Sequence, residues 1–340
     1  MTSARRVTIR EVARAAGVSV ATVSKVLNDR YGVSEATATR VREVIEELGY
    51  ESSLVARSLR NQRTNVVGVL VADFEPYSAE VLKGVADVIR GTGYELVAYA
   101  AAGRVGEHVG WERRHLSRLS GTLIDGAVLV TPTVIDIVAS VPVVAVDPHT
   151  GRADIPTVDA DNLHGGYLAG QHLIDLGHRR IGMIMGRPDL MSAQLRERGF
   201  RAAFAEAGLP IDESLFVPGD FDPDLAEKAA HGLLTRAEPP TAIFAANDAT
   251  AWRTVTVARE LGLRVPEDLS VIGFDNVLDA SNSTPNLTTI EQPIREMGRR
   301  AAQLLIERLS GIEHEKSHIR METRLVLRSS TAPPPSPAER

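Results

Sequence analysis

The stretch Thr8-Ile9-Arg10-Glu11-Val12-Ala13-Arg14-Ala15-Ala16-Gly17-Val18-Ser19-Val20-Ala21-Thr22-Val23-Ser24-Lys25-Val26-Leu27-Asn28 holds two helix-start signals with a helix stop between them. Thr8 and Glu11 form the pattern of a capping box, in which hydroxyl and carboxylate satisfy the orphan amides of a first turn. Ile9, Val12, Ala13 and Ala16 follow at helical spacing. Gly17 stands where a left-handed backbone ends a helix. Ser19 then caps a second helix, predicted over 20–28. Two helices joined by so short a Gly-containing turn meet at a steep angle, the helix-turn-helix geometry. On the second helix Val23, Val26 and Leu27 are predicted to face inward, leaving Val20, Ala21, Thr22, Ser24 and Lys25 outside. That outer face is small and hydroxylated at its N-terminal end and carries one long cation. It suits a DNA major groove, where hydroxyls reach phosphate and a Lys donates to guanine acceptors.

A third helix is predicted over 34–48, with Val41, Val44, Ile45 and Leu48 as its apolar positions and Gly49 as its stop. Residues 50–64 are basic, contain Ser53 and Ser58 as possible caps, and are too short to hold a helix alone. They read as a linker that folds on binding. Charge supports a polyanion partner for this end of the chain. Residues 1–64 carry 11 Lys+Arg against 7 Asp+Glu, while the remaining 276 carry 27 against 37, for a net charge of −6.

The 340 residues allow two or three domains, and 44% hydrophobic with 24% charged residues is ordinary globular usage. The apolar run 66–72 falls far short of the ~18 residues of a membrane span. Arg5 and Arg6 are not followed by an apolar segment, so no secretory signal is read there. Without cysteine there is no disulfide framework, thiolate zinc site or cysteine nucleophile. Dinucleotide-binding and phosphate-binding glycine loops, His-Glu-x-x-His and Gly-x-Ser-x-Gly are all missing from the sequence. The histidines show no recurrent metal spacing, and His178 reads as a surface turn residue. The expectation is a cytoplasmic protein that is not an enzyme and has no metal, no cofactor and no membrane contact.

After residue 65 apolar runs alternate with amphipathic patterns. Strands are predicted at 66–72, 94–100, 126–130 and 143–147, with helices at 79–91 and 111–119. A second series predicts helices at 163–176, 193–207, 225–234 and 250–261 between strands at 181–185, 216–218, 242–245 and 270–275. Continuous Val/Ile/Leu strands between such helices are parallel strands covered on both faces. Two series predict two doubly wound halves, whose ligands bind at carboxyl ends of strands and between domains. Tyr77, Asp147, Arg196, Asn247, Asp248 and Asp275 all fall at or just after strand ends. Each alone fits a helix cap or turn; their shared position relative to the strands marks a convergent site.

Residues 8–28, together with Val33-Ser34-Glu35-Ala36-Thr37, Leu48-Gly49-Tyr50 and Ala56-Arg57-Ser58-Leu59-Arg60, resemble the head of the lactose-repressor/galactose-repressor (LacI/GalR) family. Leu176-Gly177-His178-Arg179-Arg180-Ile181-Gly182, Ala245-Ala246-Asn247-Asp248, Val271-Ile272-Gly273-Phe274-Asp275-Asn276 and Pro285-Asn286-Leu287-Thr288-Thr289-Ile290 resemble its body, and behind it the periplasmic sugar-binding proteins. Two departures are Ser52, where the family often has Pro, and Lys25, where it often has Arg. The resemblance implies an α + α/β fold: a helix-turn-helix head (1–50), a hinge helix or linker (51–64), a two-lobed body (65–330) and a disordered tail (331–340). The lobes would comprise about 65–161 plus 293–321, and about 162–292 plus 322–330. It implies DNA contacts at Thr8, Ser19, Val20, Ala21, Thr22, Ser24, Lys25 and Asn28. Ala56, Leu59 and Arg60 would come from the hinge, with Leu59 as a wedge in the minor groove. It implies effector contacts at Tyr77, Asp147, Arg196, Phe221, Asn247 and Asp275, and a homodimer on a double-stranded, palindromic operator, with Trp252 at a dimer contact. The function so implied is repression of sugar-utilisation genes, relieved by a saccharide effector. The alternative is a repressor whose DNA binding is strengthened by a purine-like corepressor.

Overall fold

The computed structural model describes residues 7–27, 31–50, 63–101, 110–133, 139–149, 155–277, 284–312 and 317–335. The chain divides into two compact units, Met1–Thr64 and Asn65–Arg340.

The head contains α1 (Ile9–Ala15), α2 (Val20–Leu27) and α3 (Glu35–Leu48). The Thr8–Glu11 capping box forms, with the Thr8 amide donating to the Glu11 carboxylate at 2.8 Å. Ser19 caps α2 by accepting from the Thr22 amide at 3.0 Å, and Ser34 caps α3 through Thr37. Val12, Ala13, Ala16, Val23, Val26 and Val41 make the core. Leu27, expected to face inward, is instead exposed on the last residue of α2. Val18, Val33 and Tyr50, from the turns around the helices, pack against the core.

The body has two sheets. The first runs in the order β2 (Glu95–Ala100), β1 (Val66–Val71), β3 (Gly126–Val130), β4 (Val143–Val146), β5 (Thr157–Ala160), β11 (His318–Met321), all parallel. The second runs β7 (Phe216–Pro218), β6 (Ile181–Met185), β8 (Ala242–Ala245), β9 (Ser270–Asp275), β10 (Thr288–Glu291), β12 (Arg324–Val326). It is parallel except where β12 runs against β10. Every residue of β1, β3 and β4 is buried, as strands covered on both faces require.

The helices are α4 (Pro76–Ile89), α5 (Trp111–Leu119), α6 (Asn162–Asp175), α7 (Met191–Glu206), α8 (Pro223–Leu234), α9 (Asp248–Glu260) and α10 (Ile294–Leu309). Both α4 and α8 start earlier than their apolar periodicity predicts, because each opens on a proline, whose missing N–H costs nothing in a first turn. The chain crosses between lobes three times: after β5, after β10 and after β11. Helix α10 buries Met297, Ala301, Ala302 and Leu305 in the first lobe, beside Val67 and Val81.

Two expectations need correction. His178 is buried, not on the surface: its imidazole meets Thr241 at 2.8 Å, Ser270 at 3.1 Å and the Ala332 carbonyl at 2.9 Å. The segment read as a disordered tail begins with anchored residues, since the Ala332 amide donates to Ser270 Oγ at 2.9 Å and Thr331 Oγ lies 3.0 Å from His172. The polar groups of the outer end of β9 are satisfied by this segment. Among the described residues no helix is long and apolar enough to cross a membrane.

Candidate functional site

On the head, Ser19, Val20, Ala21 and Lys25 are exposed, while Thr22 and Ser24 are half-buried. The Ser19 and Thr22 hydroxyls meet at 2.9 Å, which fixes the start of α2. Val20 is 42% exposed on the first residue of the helix. Thr8 is exposed and engaged in its capping box. Asn28, Ala56, Leu59, Arg60 and the expected hinge helix lie outside the described residues.

In the body, a cleft of about 610 Å³ opens between the two lobes, and Tyr77, Asp147, Arg196, Phe221, Asn247 and Asp275 all line it. Arg196 is placed by the crossing of α6 and α7. A Cβ on Gly166 would lie 2.0 Å from the Arg196 carbonyl oxygen, and one on Gly199 1.9 Å from that of Leu163, so the helices touch backbone to backbone. This brings Asn162, first residue of α6, to Arg196 Nε at 2.8 Å. Arg196 Nη1 donates to the Ala246 carbonyl at 2.6 Å and lies 3.4 Å from Asp275. The guanidinium stacks 3.8 Å from the Phe274 ring centre, so this charge is 4% exposed, oriented and paired.

Asp275 also accepts from Gln292 Nε2 at 2.6 Å. Asn247 caps α9 by accepting from the Thr250 amide at 2.9 Å, so its Oδ1 is already engaged and its NH₂ is the group left for a ligand. Phe221 lies flush on Gly186, where a Cβ would come 2.2 Å from the ring, and its centre is 6.0 Å from the Arg196 guanidinium. Seven non-glycine residues have positive φ among the described residues, and five of them, Thr131, Asp147, Asp220, Phe221 and Asp275, line the cleft. Backbone strain of this kind concentrates where geometry serves function.

Burial pushes the Asp147 carboxyl up to about 6, against the pull of Arg196 and a hydrogen bond from Ser192. Burial likewise pushes Asp275 up to about 6, again opposed by Arg196. The Tyr77 phenol is raised well above its ordinary range by burial and by the charges of Asp147 and Asp275. Its hydroxyl has no hydrogen-bond partner among the described residues. Asp248, at a strand end like the others, serves the frame instead: it accepts from Thr289 at 2.6 Å and the Val277 amide at 3.0 Å, and burial raises its pKa strongly. No group of residues able to hold a metal ion occurs among those described.

The cleft contains further residues that sequence reasoning missed, including Thr131, Thr133, Trp111, His149, Ser192 and Asp220. Thr131 follows β3 as Asp147 follows β4, so the strand-end rule applied to every strand would have found it. Trp111 gave no signal beyond the start of a helix. Trp252, in contrast, is not on the cleft wall; it is 37% exposed on α9 and borders a separate hollow of about 290 Å³.

A helix-turn-helix unit joined to a two-lobed ligand cleft defines a ligand-responsive DNA-binding regulator, not an enzyme. Comparison with known proteins agrees. Residues 8–53 match the model of bacterial regulatory proteins, lacI family, and residues 171–331 that of the periplasmic binding protein-like domain. The HTH-type transcriptional repressor PurR of Yersinia pestis (strain Pestoides F) is 37% identical over 337 residues, covering 96% of this chain and 98% of its own. A solved complex of the transcriptional regulator CelR with cellobiose shares 34% identity at a TM-score of 0.70, covering 96% of this chain and all of that one. The lac repressor dimer bound to operator and the anti-inducer ONPF shares 26% identity at a TM-score of 0.82, again over 96% of this chain and all of that one. The chain belongs to the lacI family of bacterial regulatory proteins and is a DNA-binding transcriptional repressor.

Proposed function

We propose that this repressor acts in the cytoplasm as a homodimer on a pseudo-palindromic operator, and that a saccharide bound in the cleft releases it. The observation that carries the effector class is the set of polar groups that the two lobes bring to the cleft: Tyr77 and Asp147 from the first, Arg196, Asn247 and Asp275 from the second. Carboxylates accept from sugar hydroxyls, the guanidinium and carboxamide donate to them, and Phe221 offers a face for an apolar ring surface. On the DNA side, Val20, Ala21 and Lys25 read base edges, with Ser19, Thr22 and Ser24 at phosphate. The hinge residues Ala56, Leu59 and Arg60 enter the minor groove as paired helices. Saccharide binding draws the lobes together and disfavours that pairing. A tenfold loss of operator affinity needs only about 1.4 kcal/mol of coupling.

Operator binding by fluorescence anisotropy, with and without a saccharide panel, tests this. Affinity is expected to fall with the effector in wild type, and the response is expected to be lost in Arg196→Lys, whose operator binding persists. A purine base that raises operator affinity would instead establish corepression. That second reading is favoured by the PurR relative and by the aromatic residues Tyr77 and Phe221 on the cleft wall.

A further inference from the structure

Among the described residues, six carboxylates line the cleft, those of Asp73, Glu75, Asp147, Asp220, Asp222 and Asp275, against the guanidiniums of Arg187 and Arg196 and the imidazole of His149. Neither arginine is an open anion receptor. Arg187 is chelated by Asp189 at 3.1 and 2.7 Å, and Arg196 is held by Asn162, Ala246 and Asp275. Among the described residues, a phosphate or carboxylate brought into this cleft finds no unmatched guanidinium to take it bidentately. It meets a surplus of like charge. One uncompensated charge about 6 Å away, at an effective dielectric of about 20, reduces affinity roughly 100-fold.

A second observation is independent of charge. Among the described residues, Tyr77 Oη, Trp111 Nε1 and Asp220 Oδ1 are buried without a hydrogen-bond partner, and all three residues line the cleft. Trp111 is 1% exposed. A buried indole N–H ordinarily finds an acceptor, and it can only donate. The cleft wall thus presents an unused donor, an unused acceptor and a hydroxyl that serves as either.

We propose that the ligand of the cleft is electrically neutral, so that phosphorylated and carboxylated sugars and nucleotides are excluded, and that the Trp111 indole N–H donates a hydrogen bond to it. This rests on the cleft being the effector site and narrows the class of effector it admits.

The test is calorimetric titration of the full chain with matched pairs: glucose and its phosphate monoester, cellobiose and cellobionic acid, inosine and its monophosphate. In each pair that binds, the neutral member is expected to be at least about 100-fold tighter. An anionic member that binds as tightly as its neutral partner, or more tightly, overturns the inference. Inorganic pyrophosphate serves as an anion probe that needs no knowledge of the natural ligand; it is expected to give no saturable heat, and saturable binding that is lost in Arg196→Lys also overturns it. Inosine binding while both saccharides fail would sink the saccharide reading but leave the neutral-ligand inference standing.

For Trp111, Trp111→Phe is expected to weaken the neutral ligand about five- to tenfold and, because the indole is a buried core side chain, also to lower the melting temperature. A lowered melting temperature with unchanged affinity makes the residue structural only. Because the chain has two tryptophans, Trp252→Phe leaves a single indole N–H resonance. That signal is expected to move downfield when the ligand binds, and an unmoved signal refutes the donor role even if Trp111→Phe does not fold.

Discussion

Replacing Asp147 with asparagine is expected to stabilise the ligand-free protein while weakening its hold on the effector. Asp147 is buried at 8% exposure and has a φ of 48°, a conformation that asparagine adopts readily, so the backbone is not disturbed. Burial moves its pKa from 3.8 to about 6, about two units, and each unit corresponds to about 1.4 kcal/mol. Above pH 7 the native state therefore carries an ionised group whose burial costs about 3 kcal/mol relative to the unfolded chain. Because the folded pKa is raised, the native state binds the proton more tightly. The contribution of Asp147 to wild-type stability therefore rises as pH falls from 7 through 6 toward 4. The asparagine of the Asp147→Asn variant has no charge to bury and lacks that residue's share of the pH dependence, while Asp275 keeps its own. At pH 7.5 the variant is expected to melt several degrees higher, and the difference should vanish near pH 4. Differential scanning fluorimetry across pH 4–8 reads both effects, and titration with the effector reads the lost acceptor. A variant that melts at or below wild type at pH 7.5 would refute the assignment of Asp147 as a charge held at a cost for binding.

Gly186→Ala would push Phe221 off its seat, since the new Cβ would lie 2.2 Å from the ring; effector affinity is expected to fall about tenfold while operator affinity, measured by anisotropy without effector, stays unchanged. Lys25→Ala is expected to cost operator affinity by about 1–3 kcal/mol and to leave effector titrations untouched. Removing the buried imidazole with His178→Ala breaks its contacts to Thr241, Ser270 and the Ala332 carbonyl and leaves a cavity, a loss of about 2 kcal/mol or more in chemical unfolding.

Much of the body was legible because its central strands are unbroken apolar runs: Val66–Val71, Gly126–Val130, Ile181–Met185 and Ala242–Ala245 stand as read, within a residue. What escaped was the edge and the return path. Thr157–Ala160 is short and half polar, and His318–Met321 alternates as an edge strand does, with nothing local to say which sheet it joins. Helix α10 lay beyond the last strand that the alternating pattern reached. In the site, the strand-end rule and the family resemblance gathered six residues from distant positions around one cleft. They could not show that Asn247 spends its carbonyl on a helix cap, that Asp248 is tied into the frame, or that Trp111 reaches the cleft from the side of α5. Those facts depend on packing between elements far apart in sequence.

The interleaving of the lobes bears on how the protein is made. The first lobe lacks α10 and its sixth strand until residues 294–321 have been synthesised, and the second lacks β12 until residue 326. The head, a separate unit within the first 64 residues, is complete long before either. During translation the helix-turn-helix is therefore finished while the part that governs it is not. A message cut short before residue 318 would leave a folded head on two unfinished lobes, carrying the address for the operator without the means to be called off it.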